Sequence, residues 1–264
     1  MATARTEDGA LPRDLRPMLA TTAALPTDDA AWAYEVKWDG VRALVAVEGG
    51  RVTVTTRNGN DVSSAYPELQ ALAADLGARQ VLLDGEVVAF APDGRSDFGL
   101  LQSRMHVRRP TASLLAATPV TLLAFDLLHS GGQSLLGETY DVRCAALGDL
   151  GLSGPHWLVP PVFLGDGPAV VAATQAQGLE GVVAKRRDSR YEPGRRSELW
   201  RKIKHVRRTS AVIVGWKPGA GGREGQIGSL LLAVPGAGGL DFAGHVGTGF
   251  SAATLGALQG QLAP

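Results

Sequence analysis

Apolar positions in this 264-residue chain gather in a series of short, β-branched runs, interrupted by a few stretches of helical spacing. Residues 41–47 and 51–56 are β-branched runs separated by Glu48-Gly49-Gly50, a pattern that predicts a hairpin. Residues 64–76 carry Leu69, Leu72 and Leu76 at helical spacing. Residues 81–90 predict a strand with acids set into it, 98–107 a helix, and 120–128 an apolar strand ending at Ser130-Gly131-Gly132. Helices are predicted at 140–150 and 168–177, and a strand at 181–184. After Arg208 the texture changes. Residues 211–216, 229–234 and 240–246 read as short strands between Gly-rich turns, and Ser251 caps a last helix over 252–262.

This order predicts an α+β architecture with a β-barrel-like appendage. Residues 1–30, broken by Pro12, Pro17 and Pro26, read as a loose leader. The main domain is expected over 31–205, a hinge at 205–210, and a small β module over 206–264.

Composition narrows the class. Hydrophobic residues make up 45% of the chain and charged residues 20%, which supports a packed core and argues against wholesale disorder. The net charge is zero, yet residues 185–208 hold eleven Lys/Arg against Asp188, Glu192 and Glu198. Such a run suits a polyphosphate or a nucleic-acid backbone, or is simply a solvated basic face. Cys144 is the only cysteine, which excludes an internal disulfide and a cysteine-based zinc site and fits a reducing compartment. The N-terminus lacks the apolar core of a signal peptide, and no run reaches the roughly 18 apolar residues of a membrane span. The five histidines show no metal-ligand spacing.

The candidate chemistry starts at Glu35-Val36-Lys37-Trp38-Asp39-Gly40-Val41-Arg42. Lys37 lies among Tyr34, Val36 and Trp38. A lysine that loses water there favours the neutral amine, which is a nucleophile. Its plain alternative is a surface lysine before a strand. Arg57-Asn58-Gly59 leaves a strand end within reach of a ribose or phosphate. Asp84-Gly85-Glu86 sets carboxylates in an apolar run, where they need a partner. Glu86 suits a lysine, a metal, a ribose hydroxyl or a salt bridge. Phe125 ends a strand and is either core or a stacking face for a base. Glu180 precedes a strand, and Lys185 follows it. Lys202 and Lys204 share one strand face and would repel unless they bound an anion such as phosphate.

The ordered set E-V-K-W-D-G-V-R, T-R-N-G, L-D-G-E-V-V, A-F-D-L-L, E-G-V-V-A-K-R and W-R-K-I-K resembles ATP-dependent DNA ligases of the covalent nucleotidyltransferase superfamily. Among these the chain is most similar to the bacterial ligase D type used in end joining, from Leu15 onward. Y-E-P-G-R-R-S-E-L-W, I-V-G-W-K-P-G and H-V-G-T-G-F extend the resemblance.

The resemblance implies a nucleotidyltransferase fold of ATP-grasp-like antiparallel sheets with flanking helices, followed by a partial OB-fold. It implies that Lys37 attacks the α-phosphorus of ATP, with Lys202 and Lys204 lowering its pKa and gripping the α-phosphate. Arg42 and Arg57 would hold ribose and phosphate, Glu86 the ribose or the metal shell, Glu180 the divalent metal, and Phe125 the adenine. Glu35 would help recognise the adenine. Mg²⁺ or Mn²⁺ is the implied metal. Arg186, Arg187, Arg195 and Arg196 would contact the DNA backbone. Nicked or broken duplex DNA is the implied substrate, with end-joining proteins such as Ku as partners. A monomer in the bacterial cytoplasm, associated with the nucleoid, is expected.

A five-stranded OB-fold exceeds the three strands and one helix that the sequence supplies after residue 206. The family's last basic motif, which orients pyrophosphate, is not found. The expectation is a stable nucleotidyltransferase domain with a poorly ordered tail. Within the superfamily, an RNA ligase or a GTP-using capping enzyme shares K-x-D-G. A non-catalytic or first-step-deficient nucleotide- or DNA-binding remnant is the alternative from another class. A Schiff-base metabolic enzyme leaves the lysine pair and the two arginines unexplained. No Walker-type P-loop occurs.

Overall fold

The computed structural model describes residues 9–206 and 209–262. Residues 1–8 of the expected leader lie outside the described residues, as do Arg207 and Arg208 of the basic stretch and hinge. The first strands are Leu19–Thr22 (β1), Trp32–Val36 (β2), Val41–Glu48 (β3), Arg51–Thr56 (β4), Val81–Ala89 (β5) and Val120–Ser130 (β6). Four two-residue strands follow: Gln133–Ser134 (β7), Ser153–Gly154 (β8), Trp157–Leu158 (β9) and Phe163–Leu164 (β10). Gly181–Arg186 (β11) and Arg196–Lys204 (β12) complete the first of two compact units, which ends at His205. The second unit, from Val206, holds Val212–Pro218 (β13), Ile227–Gly236 (β14) and Gly239–Val246 (β15). The helices are Leu72–Leu76 (α1), Phe98–Gln102 (α2), Ala112–Ala117 (α3), Tyr140–Gly148 (α4), Gly167–Ala176 (α5) and Ala252–Leu262 (α6).

The first unit contains two sheets. One runs β4-β3-β5-β6-β9-β8 with β7 beside β6, and the other runs β1-β12-β11-β2-β10. Most pairs are antiparallel, as expected, but β1/β12 and β6/β9 are parallel. The central strands of the larger sheet are largely buried on both faces, which suits the continuous apolar run over residues 43–47 of β3. Ala43, Val45 and Val47 pack with Leu69, Leu72 and Leu76, while Leu44 packs with Met18, just before β1, and Trp200 of β12. The smaller sheet turns Trp32, Tyr34, Val182 and Ala184 away from that interface, against Val170 and Val171 of α5.

Three expectations change. The leader is not loose throughout. Leu11 and Met18 are buried between the sheets, and β1 pairs with β12, so apolar residues on either side of Pro12 and Pro17 outweigh the prolines. The helix expected over 64–76 breaks into two 3₁₀ turns, Ser63–Ala65 and Pro67–Ala71, before α1. Pro67 lacks a donor, and the buried Arg104 bonds to the Ala65 carbonyl (2.8 Å) and pairs with Glu68 (2.9 Å). The helix expected over 98–107 stops at Gln102, short of the left-handed His106 at φ 68°. The sequence reading passed over α3, whose start is capped by Thr111 accepting from the Leu114 N–H.

The second unit is a three-stranded antiparallel sheet, open rather than closed into a barrel. Ile227, Leu230 and Leu255 form its core, so the segment expected as a poorly ordered tail has regular structure. Ser251 Oγ accepts from the Thr254 N–H at 3.1 Å and caps α6 as anticipated.

Candidate active site

A cleft lies between the two sheets of the first unit. From the smaller sheet it takes Glu35, Val183, Lys185, Trp200 and Lys202, the residues that alternate with the α5-facing set. From the larger sheet it takes Arg42, Glu86 and Phe125. Lys37 follows β2 directly, and its N–H donates to the Gly181 carbonyl at 2.9 Å. Gly40 begins the return toward the larger sheet. A side chain there would lie 2.4 Å from the Val87 carbonyl, so only glycine allows this approach.

Lys37 forms an ion pair with Glu180 Oε2, and Lys204 reaches Glu180 Oε1 at 3.2 Å. One carboxylate thus bridges two of the predicted lysines. Lys202 has no ion pair among the described residues. Burial lowers its pKa, helped by the positive field of Arg196, Lys204, Lys37 and Arg57. Arg57 is exposed at the cleft margin, also without an ion pair.

On the larger sheet, Leu82, Asp84 and Glu86 of β5 face the cleft side, while Leu83 and Val87 enter the opposite core. The β5/β6 ladder shifts register between Asp84 and Gly85, which leaves Phe125 without a partner residue. Such a bulge re-aims a side chain, here into the cleft. Arg42 clamps the fully buried Asp84 through Nε (2.5 Å) and Nη2 (2.6 Å), with its guanidinium 4.5 Å from the Phe125 ring centroid. Burial opposes the Arg42 charge, but Asp84 outweighs it and raises the pKa. The Glu86 side chain has neither a hydrogen bond nor an ion pair among the described residues, and burial pushes its carboxyl up to about 7.

At the back of the cleft the predicted Glu35 is already engaged. It accepts from Tyr140 OH at 2.6 Å and pairs with Lys185 Nζ at 2.7 Å. Burial raises its pKa against the pull of Lys185. Lys185, almost wholly buried, also donates to the Phe125 carbonyl and lies 4.4 Å from the Phe125 and Trp200 ring centroids. Behind it, buried Asp126 is clamped by buried Arg143 at 2.7 and 3.0 Å. Sequence reasoning noted Lys185 and Asp84 without assigning them to the site, and it missed Tyr140, Asp126 and Arg143. Charges inside apolar runs were the available signal for Asp84 and Asp126. The pairing of α4 with β6 had none.

The four arginines expected on DNA differ in their partners. Arg196 lines the cleft and donates to the Ala20 carbonyl at 2.6 Å. Arg195 lies 3.9 Å from Glu192. Arg186 and Arg187 are engaged by Asp188 and Asp141. Among the described residues no group of three His, Cys, Asp or Glu side chains is arranged to hold a metal, and no helix is long and apolar enough to cross a membrane.

Comparison with known proteins gives this geometry a context. The chain is 44% identical over 252 residues to the multifunctional non-homologous end joining protein LigD of Mycobacterium bovis, covering 95% of this chain and 32% of that protein. DNA ligase C1 of Mycolicibacterium smegmatis is 36% identical over 229 residues, covering 83% of this chain and 64% of that protein. The chain therefore spans about a third of the LigD relatives it matches. Among solved structures, mycobacterial DNA ligase D complexed with ATP and MES aligns with a TM-score of 0.65 at 42% identity, covering 95% of this chain and 78% of that one. The ligase domain from M. tuberculosis LigD aligns at 0.63, with the same identity and coverage. The family model for the ATP dependent DNA ligase C terminal region matches residues 223–264. The model for the ATP dependent DNA ligase domain matches residues 17–204, which span both sheets and every residue of the cleft, and the chain belongs to that family.

Proposed function

We propose that this chain carries out the nucleotidyl-transfer steps of ATP-dependent DNA ligation. One observation carries the reading. Lys37 lines a cleft in which three further cations, Lys202, Arg57 and Arg196, have no acidic partner among the described residues, an arrangement suited to a polyphosphate. In the first step the Lys37 amine, freed from Glu180 and relieved of a proton, attacks the α-phosphorus of ATP. A nitrogen–phosphorus bond forms, the bond from that phosphorus to the bridging oxygen breaks, and pyrophosphate leaves. A 5′-phosphate oxygen of the DNA then takes the AMP and restores the amine. Finally the 3′-hydroxyl attacks the DNA phosphorus and expels AMP.

Lys202 and Lys204 would hold the α-phosphate, Arg42 and Arg57 the ribose and phosphates, and Phe125 the adenine face. Glu35 would act on the base together with its partner Lys185. Glu180 and Glu86 would hold Mg²⁺ or Mn²⁺. This cation takes one or two carboxylates plus substrate phosphates, and the unpartnered Glu86 carboxyl suits it. When bound, the metal neutralises charge on the phosphates. Arg186, Arg187, Arg195 and Arg196 would contact the DNA backbone without reading sequence. Nicked or broken duplex DNA as substrate, end joining with proteins such as Ku, a monomeric state and a nucleoid-associated cytoplasmic location complete the reading. The names of the LigD relatives support the end-joining context.

The test is incubation with α-labelled ATP and Mg²⁺, followed by a denaturing gel. Label should survive denaturation and vanish in Lys37→Ala. A folded protein that takes no label would overturn self-adenylation, and sealing of a pre-adenylated nick would then show whether the later steps persist. GTP in place of ATP should give no label.

A further inference from the structure

We infer that Tyr191 is a positioning residue for nucleotide binding, acting through Asp84 on Arg42; this rests on the proposed nucleotide site. Tyr191 belongs to the loop between β11 and β12, on the side of the smaller sheet, and is buried. Its hydroxyl donates to Asp84 Oδ2 at 2.5 Å and accepts from the Met18 N–H at 2.9 Å. The hydroxyl therefore bridges a strand of the larger sheet and the segment leading into β1. Its ring stands edge-on to Trp200 at 5.7 Å.

The consequence falls on Arg42. Asp84 receives Nε and Nη2 of the guanidinium, and Nη2 also donates to the Met18 carbonyl at 3.3 Å. Tyr191 thus holds one acceptor of Arg42, Asp84, directly, and anchors the residue that supplies the other, since its hydroxyl takes the N–H of Met18. Nη1 has no partner among the described residues, and Arg42 lines the cleft. A guanidinium fixed at two nitrogens presents its third in one direction, which a planar fork allows and a lysine would not. The same clamp sets the guanidinium against the Phe125 ring. Tyr191 itself does not line the cleft. Its contribution to ligand binding must therefore pass through groups that do.

Removing the hydroxyl leaves the Met18 N–H unpaired and Asp84 one donor short, while the ring keeps its packing. Equilibrium dialysis with labelled ATP tests this on the full chain, as wild type, Tyr191→Phe, Arg42→Ala and the double variant. Loss of one hydrogen bond in the clamp is expected to weaken ATP binding about five- to tenfold in Tyr191→Phe. In the Arg42→Ala background the same change should cost less than twofold, because its effect is transmitted by Arg42. Affinity in Tyr191→Phe within twofold of wild type would overturn the inference. So would an equal loss in both backgrounds, which would mean a general structural effect.

The wild-type labelling experiment separates this from the parent reading. ATP binding without labelling sinks the transfer chemistry and leaves the dialysis cycle decisive, whereas no ATP binding at all sinks both. If Tyr191→Phe does not fold, wild-type amide exchange provides the measurement. The Met18 N–H should exchange more slowly when ATP saturates the cleft, and unchanged exchange would overturn the inference.

Discussion

The two faces of the larger sheet are built from the same strands and treat charge in opposite ways. On the helix-covered face, β5 contributes Leu83, Val87 and Ala89. The charged group there, Arg104, is taken up by Glu68 and the carbonyls of Ala65 and Thr118. On the cleft face, β5 contributes Asp84 and Glu86. Asp84 stands opposite Asp126 of β6, a pairing of like charges that would destabilise the sheet on its own. Each aspartate has its own arginine, Arg42 for one and Arg143 for the other. The lesson lies in what is left over. On the cleft side Glu86, Lys202, Arg57 and Arg196 have no ion pair among the described residues, and these are groups that face the space a ligand would fill.

Four measurements break or sharpen this contrast. The largest effect should come from Lys185→Ala, which strands the buried Glu35 and should cost about 3–5 kcal/mol in urea unfolding. A loss under about 1 kcal/mol would mean that Glu35 does not depend on this pair for its burial. Next, Leu83→Ala on the helix-covered face should cost about 3 kcal/mol of stability while leaving ATP affinity unchanged. A matching loss of affinity in the folded variant would show that the two faces are not independent. Glu86→Gln should reverse that profile, with AMP transfer slowed about tenfold, worth about 1.4 kcal/mol, and the melting temperature nearly unchanged. A large drop in melting temperature would instead make Glu86 a structural carboxylate.

The smallest effect concerns His129 near the end of β6, where burial holds the imidazole pKa below its ordinary value. An unfolded histidine takes its proton near about pH 6.5, and the folded one resists it. Stability should therefore fall as pH drops from about 7 toward 5, and His129→Leu should flatten that fall. An unchanged slope would assign the acid sensitivity elsewhere.

The β-branched and apolar runs of β3 and β5 made the larger sheet legible in the sequence, and the lysine-centred motif pointed to the candidate site. What escaped shares one physical cause: contacts between segments far apart in the chain. Arg104 splits an expected helix by bonding to Ala65. The register shift in β6 turns Phe125 into the cleft, which an alternating pattern cannot foretell. Glu35 looked available until Lys185 and Tyr140 were seen to occupy it. The short strands β7 to β10 carry too few residues for any period to show.

The parallel pairing of β1 with β12 has a consequence in time. Thr21 bonds to the Ser197 carbonyl, 176 positions later in the chain. At roughly 5–20 residues per second, a ribosome needs roughly 10–35 s to bridge that interval. Throughout it, the Leu19–Thr22 segment has been made but its partner strand has not. Closing so long a loop comes before any reward from the contact, so assembly of the smaller sheet should be slow and late. The larger sheet, whose strands β3 to β6 follow one another directly, can form while synthesis continues. The cleft would then be among the last features of this unit to exist, and a nascent chain would hold its apolar scaffold before it could hold a nucleotide.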